Sequence, residues 1–561
     1  MKPAPWSGHR APTGCHAEFA IFLAVVAVGT FLRCDRIAAQ IVADDEFHSL
    51  QAMLAGSPRY IATHFFLYSN STPQTLLQMA IGRSVGISEL TLRLPMLAAG
   101  VASLVLLPLW ARRLVGSRAA LVFATLLAIS PQLVYFSRFG RSYMIVTLLV
   151  FAAFYAFTRW SRDGGRAHAA AFVACGALAI WFHLFAAPTL AAPFLAGAVD
   201  AMRAPNRRER WARLARLFGL GVALLAALAL LAGPALLDFD SRLRSKIGEG
   251  HPDRRMLMRG ALLLAGTRHA WLAALFWTGV VAGVGVGLSR HQKLSTLLLA
   301  ALLLQPLAIC FISPTQIEIG QVFARYNAWV LPFALLFLAL ALGALGDLSV
   351  GITGKAFSRH AGLVLCAALL ALGPLPRIES HRYDNFTNHA ELQHRYTEPA
   401  PLPDSEIAPF YRMLASEPGE FSIVEVPWVS AWLRNRFRRY QLVHHREVLI
   451  GFVRPSRSPA SVDEWPFGGF FRFRRFVDLG DAQTLASFAQ RGVRYVVVHK
   501  DLNAEMRHDP FPPSVLPELE PLLERLHSQF GAPVYEDAAL SVFRSIENAS
   551  EPSVESVPPS S

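Results

Sequence analysis

The chain has 561 residues, of which 53% are hydrophobic and only 17% charged, and its mean hydropathy is +0.35. That is too apolar for a water-soluble protein of this size and implies a polytopic membrane protein. The formal net charge of +13 resembles a nucleic-acid signal, but much of it lies in loops between apolar segments, where membrane topology accounts for it, and no nucleic-acid motif accompanies it.

Apolar windows of roughly 17 to 23 residues, each long enough to cross a bilayer as a helix, recur to residue 376 and then stop. They predict about eleven transmembrane helices. The windows run 17–34, 94–111, 118–136, 141–158, 168–185, 186–201, 216–237, 270–288, 294–312, 326–347 and 360–376. No A-x-A-like cleavage site follows the first window, which is therefore expected to stay as an anchor. Basic loops at Arg112, Arg113 and Arg118, at Arg159, Arg162 and Arg166, along Arg203 to Arg216, at Arg290 and Lys293, and at Lys355 and Arg359 belong in the cytoplasm. The alternate loops, and with an odd span count everything after residue 376, then face outward.

The first outward segment, 38–93, opens with Asp44, Asp45 and Glu46 and is long enough for two amphipathic helices with a turn near Asn70-Ser71-Thr72-Pro73. The carboxylates have two readings: caps of a helix through FHSLQAMLAG, or chemical groups at the membrane mouth, where partial desolvation raises basicity. The next outward turn is S-R-F-G-R-S-Y, 137–143. Arg138 and Arg141, three apart on one helix start, could grip a phosphate, or the arginines snorkel with Tyr143 as an interfacial belt residue. The segment 238–269 brings seven more cations, Arg242 to Arg268, to that face, against the positive-inside tendency. Arg325-Tyr326 ends a further outward loop. Cations from several outward loops suit a lipid-linked phosphate held at the bilayer surface.

His48, His64, His251 and His269 also fall on the outer side, but their spacing fits no zinc signature, so no metal or other cofactor is expected. His183 reads as a packed or hydrogen-bonded residue. The five cysteines lie in or beside spans and imply no disulfide framework. After Pro376 the pattern becomes soluble: FSIVEVPW, GVRYVVVHK and ALSVFRS read as strands and DAQTLASFAQRG as a capped helix. The expected organisation is a transmembrane catalytic domain over 1–376, a small outer α/β domain over 377–545, and a disordered Ser/Pro/Glu-rich tail over 546–561.

In their order and spacing these residues resemble the GT-C glycosyltransferases, specifically the branch of protein O-mannosyltransferases and the bacterial aminoarabinose and galacturonic acid transferases of lipid A and core. The matching features are Asp45-Glu46 in the first outer loop, Thr72-Pro73-Gln74-Thr75-Leu76, Gly86, Arg93-Leu94-Pro95, the Ser137, Arg138, Arg141, Tyr143 turn, and Arg325-Tyr326 before Pro332. Gln74 departs from the pattern, standing where that family has a second proline.

The resemblance implies an inverting transfer of a sugar from a polyprenyl-phosphate donor to an envelope acceptor, which could be lipid A or core, a polysaccharide or a protein. It implies a plasma-membrane location, bacterial inner membrane in kind, with the C-terminal domain outside, and no nucleotide sugar. It implies a catalytic pair, Asp45 as the base and Glu46 to position the acceptor, hold Arg138 or bind a cation, with Arg138, Arg141 and Arg325 on the donor phosphate and Tyr143, Tyr326, Arg93 and His48 in support. A transporter or lipid-linked-sugar flippase is the competing class. Such proteins keep ionisable groups near the midplane, often in paired halves, and neither pattern is present in this sequence.

Overall fold

The structure, a computed structural model, describes residues 13–35, 37, 46, 49, 53, 57–64, 71–86, 89–236, 252–267, 269–314, 317, 320–353, 404–426, 437, 440–441, 443–452, 473–479, 485–486, 488, 492–501 and 518–545. The chain divides into two compact units, Met1–Gln40 with Asp45–Glu398, and Ile41–Asp44 with Pro399–Ser561. The expected boundary at 376 and the expected tail after 545 lie outside the described residues.

The first unit is helical: α1 (Thr13–Cys34), α2 (Pro58–Thr63), α3 (Thr72–Val85), α4 (Glu89–Val115), α5 (Ser117–Ile129), α6 (Pro131–Ser137), α7 (Tyr143–Asp163), α8 (Arg166–Phe182), α9 (Ala187–Met202), α10 (Arg207–Leu236), α11 (Arg254–Ala265), α12 (Ala270–Arg290), α13 (Gln292–Ile312), α14 (Gly320–Tyr326) and α15 (Leu331–Thr353). Among the described residues seven helices are long and apolar enough to cross a membrane, or eight if α5 and α6 form one bent span. The expected window 17–34 holds α1, the window 168–185 holds α8, shorter at 17 residues, and 360–376 lies outside the described residues. Large apolar side chains point outward, with Phe311 92% and Leu230 82% exposed. Hydrocarbon, not water, solvates such a surface, and the chain is a multi-pass membrane protein of α-helical class.

One expected span is broken. The window 118–136 becomes α5 and α6, bent by 61°. Pro131 has no N–H to continue α5, and it drives Ser130 to extended backbone at ψ 115. The break aims α6 at the turn that carries the candidate arginines.

α15 is the centre of the unit, with 78% of its apolar window buried. A polar relay fixes its start. Trp329, fully buried, donates to Thr189 Oγ1 at 3.0 Å, Thr189 donates to Gln305 Oε1 at 2.7 Å, and Gln305 Nε2 donates to the Tyr326 and Phe185 carbonyls at 2.8 and 3.0 Å. Where hydrocarbon surrounds the bundle, such side-chain bonds set which helices meet.

Of the segment 38–93, the described residues include α2, α3 and the helical Ser49 and Met53. The orientation of α3 is unusual. It buries Thr72, Gln74, Thr75 and Gln78, so its polar side faces protein, with consequences for the site.

The second unit is the small α/β domain. Its six-stranded sheet has the order β3-β2-β1-β4-β6-β5, with β1 (Ser422–Val426), β2 (Glu447–Phe452), β3 (Phe473–Asp478) and β4 (Val493–His499) parallel, β6 (Leu540–Arg544) antiparallel to β4, and β5 (Tyr535–Glu536) antiparallel to β6. Helices α16 (Pro409–Ser416) and α17 (Leu519–Phe530) belong to it. Val424, Val496, Leu522, Leu526 and Phe543 form its core. The strands expected from the sequence are β1, β4 and β6. Of the expected helix DAQTLASFAQRG, Leu485 and Ala486 are helical and most of the remainder lies outside the described residues. A buried knot ties β1 to β4: His499 Nε2 lies 2.6 Å from Glu425 Oε2, and the Tyr411 hydroxyl is 3.0 Å from both.

Candidate active site

The site is built on the turn between α6 and α7, where the sequence reads S-R-F-G-R-S-Y. The two arginines do not share a helix face as the spacing predicts. Arg138 caps α6, and Arg141 lies in the non-helical turn before α7, because successive short bonds, Arg141 N to Phe139 O at 2.7 Å and Tyr143 N to Arg141 O at 2.8 Å, fold the backbone tightly there. Both are buried, Arg138 to 1% and Arg141 to 7% exposure.

Three helix ends meet beneath this turn, and Arg33 joins them. Its Nη2 donates to Leu127 O at 3.0 Å, the carbonyl that Pro131 leaves without its helical donor. Its Nη1 donates to Ala128 O and Gly29 O, and its Nε to Ser137 Oγ at 3.0 Å. Arg138 Nη1 in turn donates to the Arg33 carbonyl at 2.9 Å. Buried guanidinium groups are stable here because carbonyls at helix C-termini carry partial negative charge.

On a second side, Glu46 and Arg93 hold the turn. Arg93 Nε and Nη2 donate to Glu46 Oε1 and Oε2 at 2.9 and 2.7 Å, and the Gly140 N–H donates to Oε1 at 2.6 Å. Arg93 Nη1 also donates to Ile37 O at 3.0 Å. A Cβ at position 140 would lie 2.9 Å from Glu46 Oε1, so glycine is what lets the carboxylate approach. From α3, Gln74 Nε2 donates to Gly140 O while its Oε1 accepts from Ser142 N at 2.9 Å. Gln78 Nε2 donates to Leu92 O at 2.8 Å, tying α3 to α4. The residue that departs from the family pattern is thus the one that grips the turn.

On the third side is an aromatic cage. Tyr143, 2% exposed, starts α7 with its ring 5.7 Å from His183, and the His183 ring is 5.3 Å from Tyr326 and 5.1 Å from Trp329. His183 is a packed residue whose Nδ1 accepts from Phe185 N at 3.3 Å. Arg325 lies over the Tyr326 ring at 4.9 Å and donates to its hydroxyl at 3.3 Å. Arg141 lies two residues before Tyr143, whose ring meets His183, and Arg325 covers Tyr326, whose ring meets the same imidazole. Two cations from loops some 180 residues apart in sequence therefore share one neighbourhood.

Asp45 and His48 lie outside the described residues. Glu46, Arg93, Arg138, Arg141 and Tyr143 are brought together around the turn, and Arg325 and Tyr326 join through His183. The sequence reading missed Arg33, Gln78 and the clamping role of Gln74. The paired glutamines four apart on a helix that also carries Thr72 and Thr75 were the available signal, since a polar face needs partners when buried. Among the described residues no group of three or more His, Cys, Asp or Glu could hold a metal ion.

Fold and site define a polytopic membrane protein with the GT-C fold. Over 96% of this chain and 100% of the other, the structure is similar to that of ArnT, the aminoarabinose transferase of Cupriavidus metallidurans, in the apo state, with a TM-score of 0.53 at 15% identity. It is similar to the same protein bound to undecaprenyl phosphate with a TM-score of 0.52 at 14% identity, over 97% and 100% of the two chains. No protein-family model matches the sequence, and no curated protein matches it.

Proposed function

We propose that the chain is an inverting glycosyltransferase that moves a sugar from a polyprenyl-phosphate donor to an envelope acceptor, on the outer face of the membrane. The observation that carries this reading is the meeting of Tyr143 and Tyr326 on the His183 ring, with Arg325 over Tyr326 and Arg141 in the turn that the Glu46–Arg93 clamp holds through Gly140. Support comes from the shared fold with ArnT, whose structure has been solved with undecaprenyl phosphate. The acceptor class, lipid A or core, polysaccharide or protein, follows from the sequence resemblance.

In this mechanism the acceptor hydroxyl attacks the anomeric carbon as the bond from that carbon to the phosphate oxygen breaks. The proton goes to Asp45, and the electron pair leaves with the lipid phosphate. A phosphate with a second ionisation near pH 6 is already a good leaving group, so it calls for cations more than for a general acid. Arg141 and Arg325 supply them, with Arg138 behind the turn, through charge-assisted bonds that strengthen as charge develops. One carboxylate base is then enough, unlike the pair that glycosidases use. Glu46, engaged with Arg93 and Gly140, positions the turn and the backbone next to Asp45. No nucleotide sugar or metal enters these steps.

The test is mass spectrometry of envelope lipids, glycans and proteins from cells lacking the chain and restored with wild type or Asp45→Asn. A sugar increment restored by wild type, with turnover in Asp45→Asn lowered by about a hundredfold, is the expected result. Restoration by both removes Asp45 from the mechanism. Accumulation of an untransferred lipid-linked sugar on the inner leaflet points instead to a flippase.

A further inference from the structure

A second polar site lies at the opposite ends of the helices that carry the first. Along α7 it is about 25 Å from the arginine turn, at 1.5 Å per residue. Here α7, α9, α10 and α13 enclose a cleft of about 540 Å³. Arg162, Arg213, Arg216, Lys293, Asp200 and Glu209 supply its polar lining, and Trp160, Leu217 and Leu297 an apolar wall.

The charges do not cancel. Arg213 is paired with both Asp200 and Glu209, and Lys293 Nζ lies 2.9 Å from Asp200 Oδ1. Both carboxylates are thereby occupied. Arg162 and Arg216 make no ion pair among the described residues, so the cleft holds a surplus of two guanidinium groups beside an apolar wall. Positive-inside topology explains cations in a loop. It does not require them to line one cleft with their carboxylate neighbours already neutralised. Next to the cleft on α10, Trp211 is 59% exposed, an amphipathic side chain of the kind that sits at a bilayer interface, and the apolar Phe218 is 75% exposed.

From this juxtaposition we infer that the cleft binds a net-anionic phosphate diester, with the phosphate on Arg162 and Arg216, and that its source is a lipid headgroup whose chains lie along the apolar wall. Guanidinium groups suit phosphate through their planar donor fork. The apolar wall makes a lipid a better occupant than a free phosphate ester. The inference does not rest on the proposed transfer reaction.

The experiment is native mass spectrometry of the purified full chain with added phosphatidylglycerol, phosphatidylcholine or glycerol 3-phosphate. Wild type should retain phosphatidylglycerol selectively. R162Q/R216Q should retain it about thirtyfold less, from a roughly fivefold contribution of each cation at a membrane surface. The variant R159Q/R166Q removes the same charge outside the cleft and should retain lipid as wild type does, with both variants checked for an unchanged thermal midpoint. Equal retention by R162Q/R216Q and wild type, equal loss in R159Q/R166Q, or equal binding of phosphatidylcholine overturns the inference. Glycerol 3-phosphate bound as well as the lipid keeps the phosphate site but overturns the lipid source.

Discussion

Arg93 and Glu46 form a two-pronged ion pair, 2.9 and 2.7 Å, with exposures of 0% and 1%. The pair holds α4 to the chain after α1, and through the Gly140 N–H it holds the turn that carries Arg141. A buried pair of this kind is weak evidence of net stabilisation, yet removing one partner strands the other charge, at a cost of about 3–5 kcal/mol.

Arg93→Ala should therefore lower the thermal midpoint of the purified protein markedly and abolish the proposed sugar transfer. Arg93→Lys keeps a charge but only one prong, so it should fall between the two. A wild-type midpoint in Arg93→Ala would show that the pair is not the clamp described.

Gln74 gives a test that separates positioning from folding. Its two bonds to the turn are worth about 1 kcal/mol each, so Gln74→Ala should fold and reach the membrane. The turn it releases carries Arg141, and a shift near 1 Å in such a group can cost up to a hundredfold in rate. The expected result is kcat down tenfold or more with a thermal midpoint that falls by less than in Arg93→Ala. Gln74→Glu keeps an acceptor for Ser142 N but sets a carboxylate against Gly140 O, and should be no better than alanine. Wild-type kcat in both variants would remove Gln74 from the positioning of the turn.

Much of the membrane architecture was legible because bilayer thickness imposes a length on apolar windows. Pro131 was visible too, but a hydropathy window averages across it and hides the break. The arginines and tyrosines of the site stood out because cations on loops expected outside run against the positive-inside tendency. The clamp did not, since Gln74, Gln78 and Arg33 gain meaning only from distant carbonyls such as Gly140 O and Leu127 O. In the soluble unit, β1 and β4 are buried β-branched runs and easy to read. By contrast β3, Phe473–Asp478, carries two arginines and an aspartate in six residues, which masks a strand.

Gly283 marks where α12 and α15 touch backbone to backbone. A Cβ there would lie 1.8 Å from the Phe337 carbonyl oxygen, and backbone cannot yield as a side chain does. Small residues permit this approach where no hydrophobic force drives helices together. Gly283→Val should cost about 1–3 kcal/mol or more and shorten the protein's half-life in detergent. Gly285→Ala, two residues along with nothing within 4 Å of its Cβ, is the control and should be neutral. Equal stability of the two variants would contradict the contact.

His444 supplies a pH dependence in the soluble unit. It is 1% exposed, its ring stacks 5.6 Å from that of Tyr411, and its Nδ1 accepts from Arg446 N at 3.0 Å. Burial first, then the charges of His445 and Arg446, push its pKa down from the usual 6.5 to about 3. Protonation would also remove the lone pair that accepts from Arg446. A depressed folded-state pKa means that the unfolded chain binds the proton first as pH falls. The stability that neutral His444 contributes is thus whole above pH 6.5 and is lost progressively between 6.5 and 3. At pH 5 the loss is about 2 kcal/mol. Calorimetry of the full chain at pH 7 and pH 5 should show the soluble unit's transition falling with pH in wild type. In His444→Asn, which does not titrate, the transition should start lower at pH 7 and fall less. If both fall in parallel, the acid sensitivity does not come from His444.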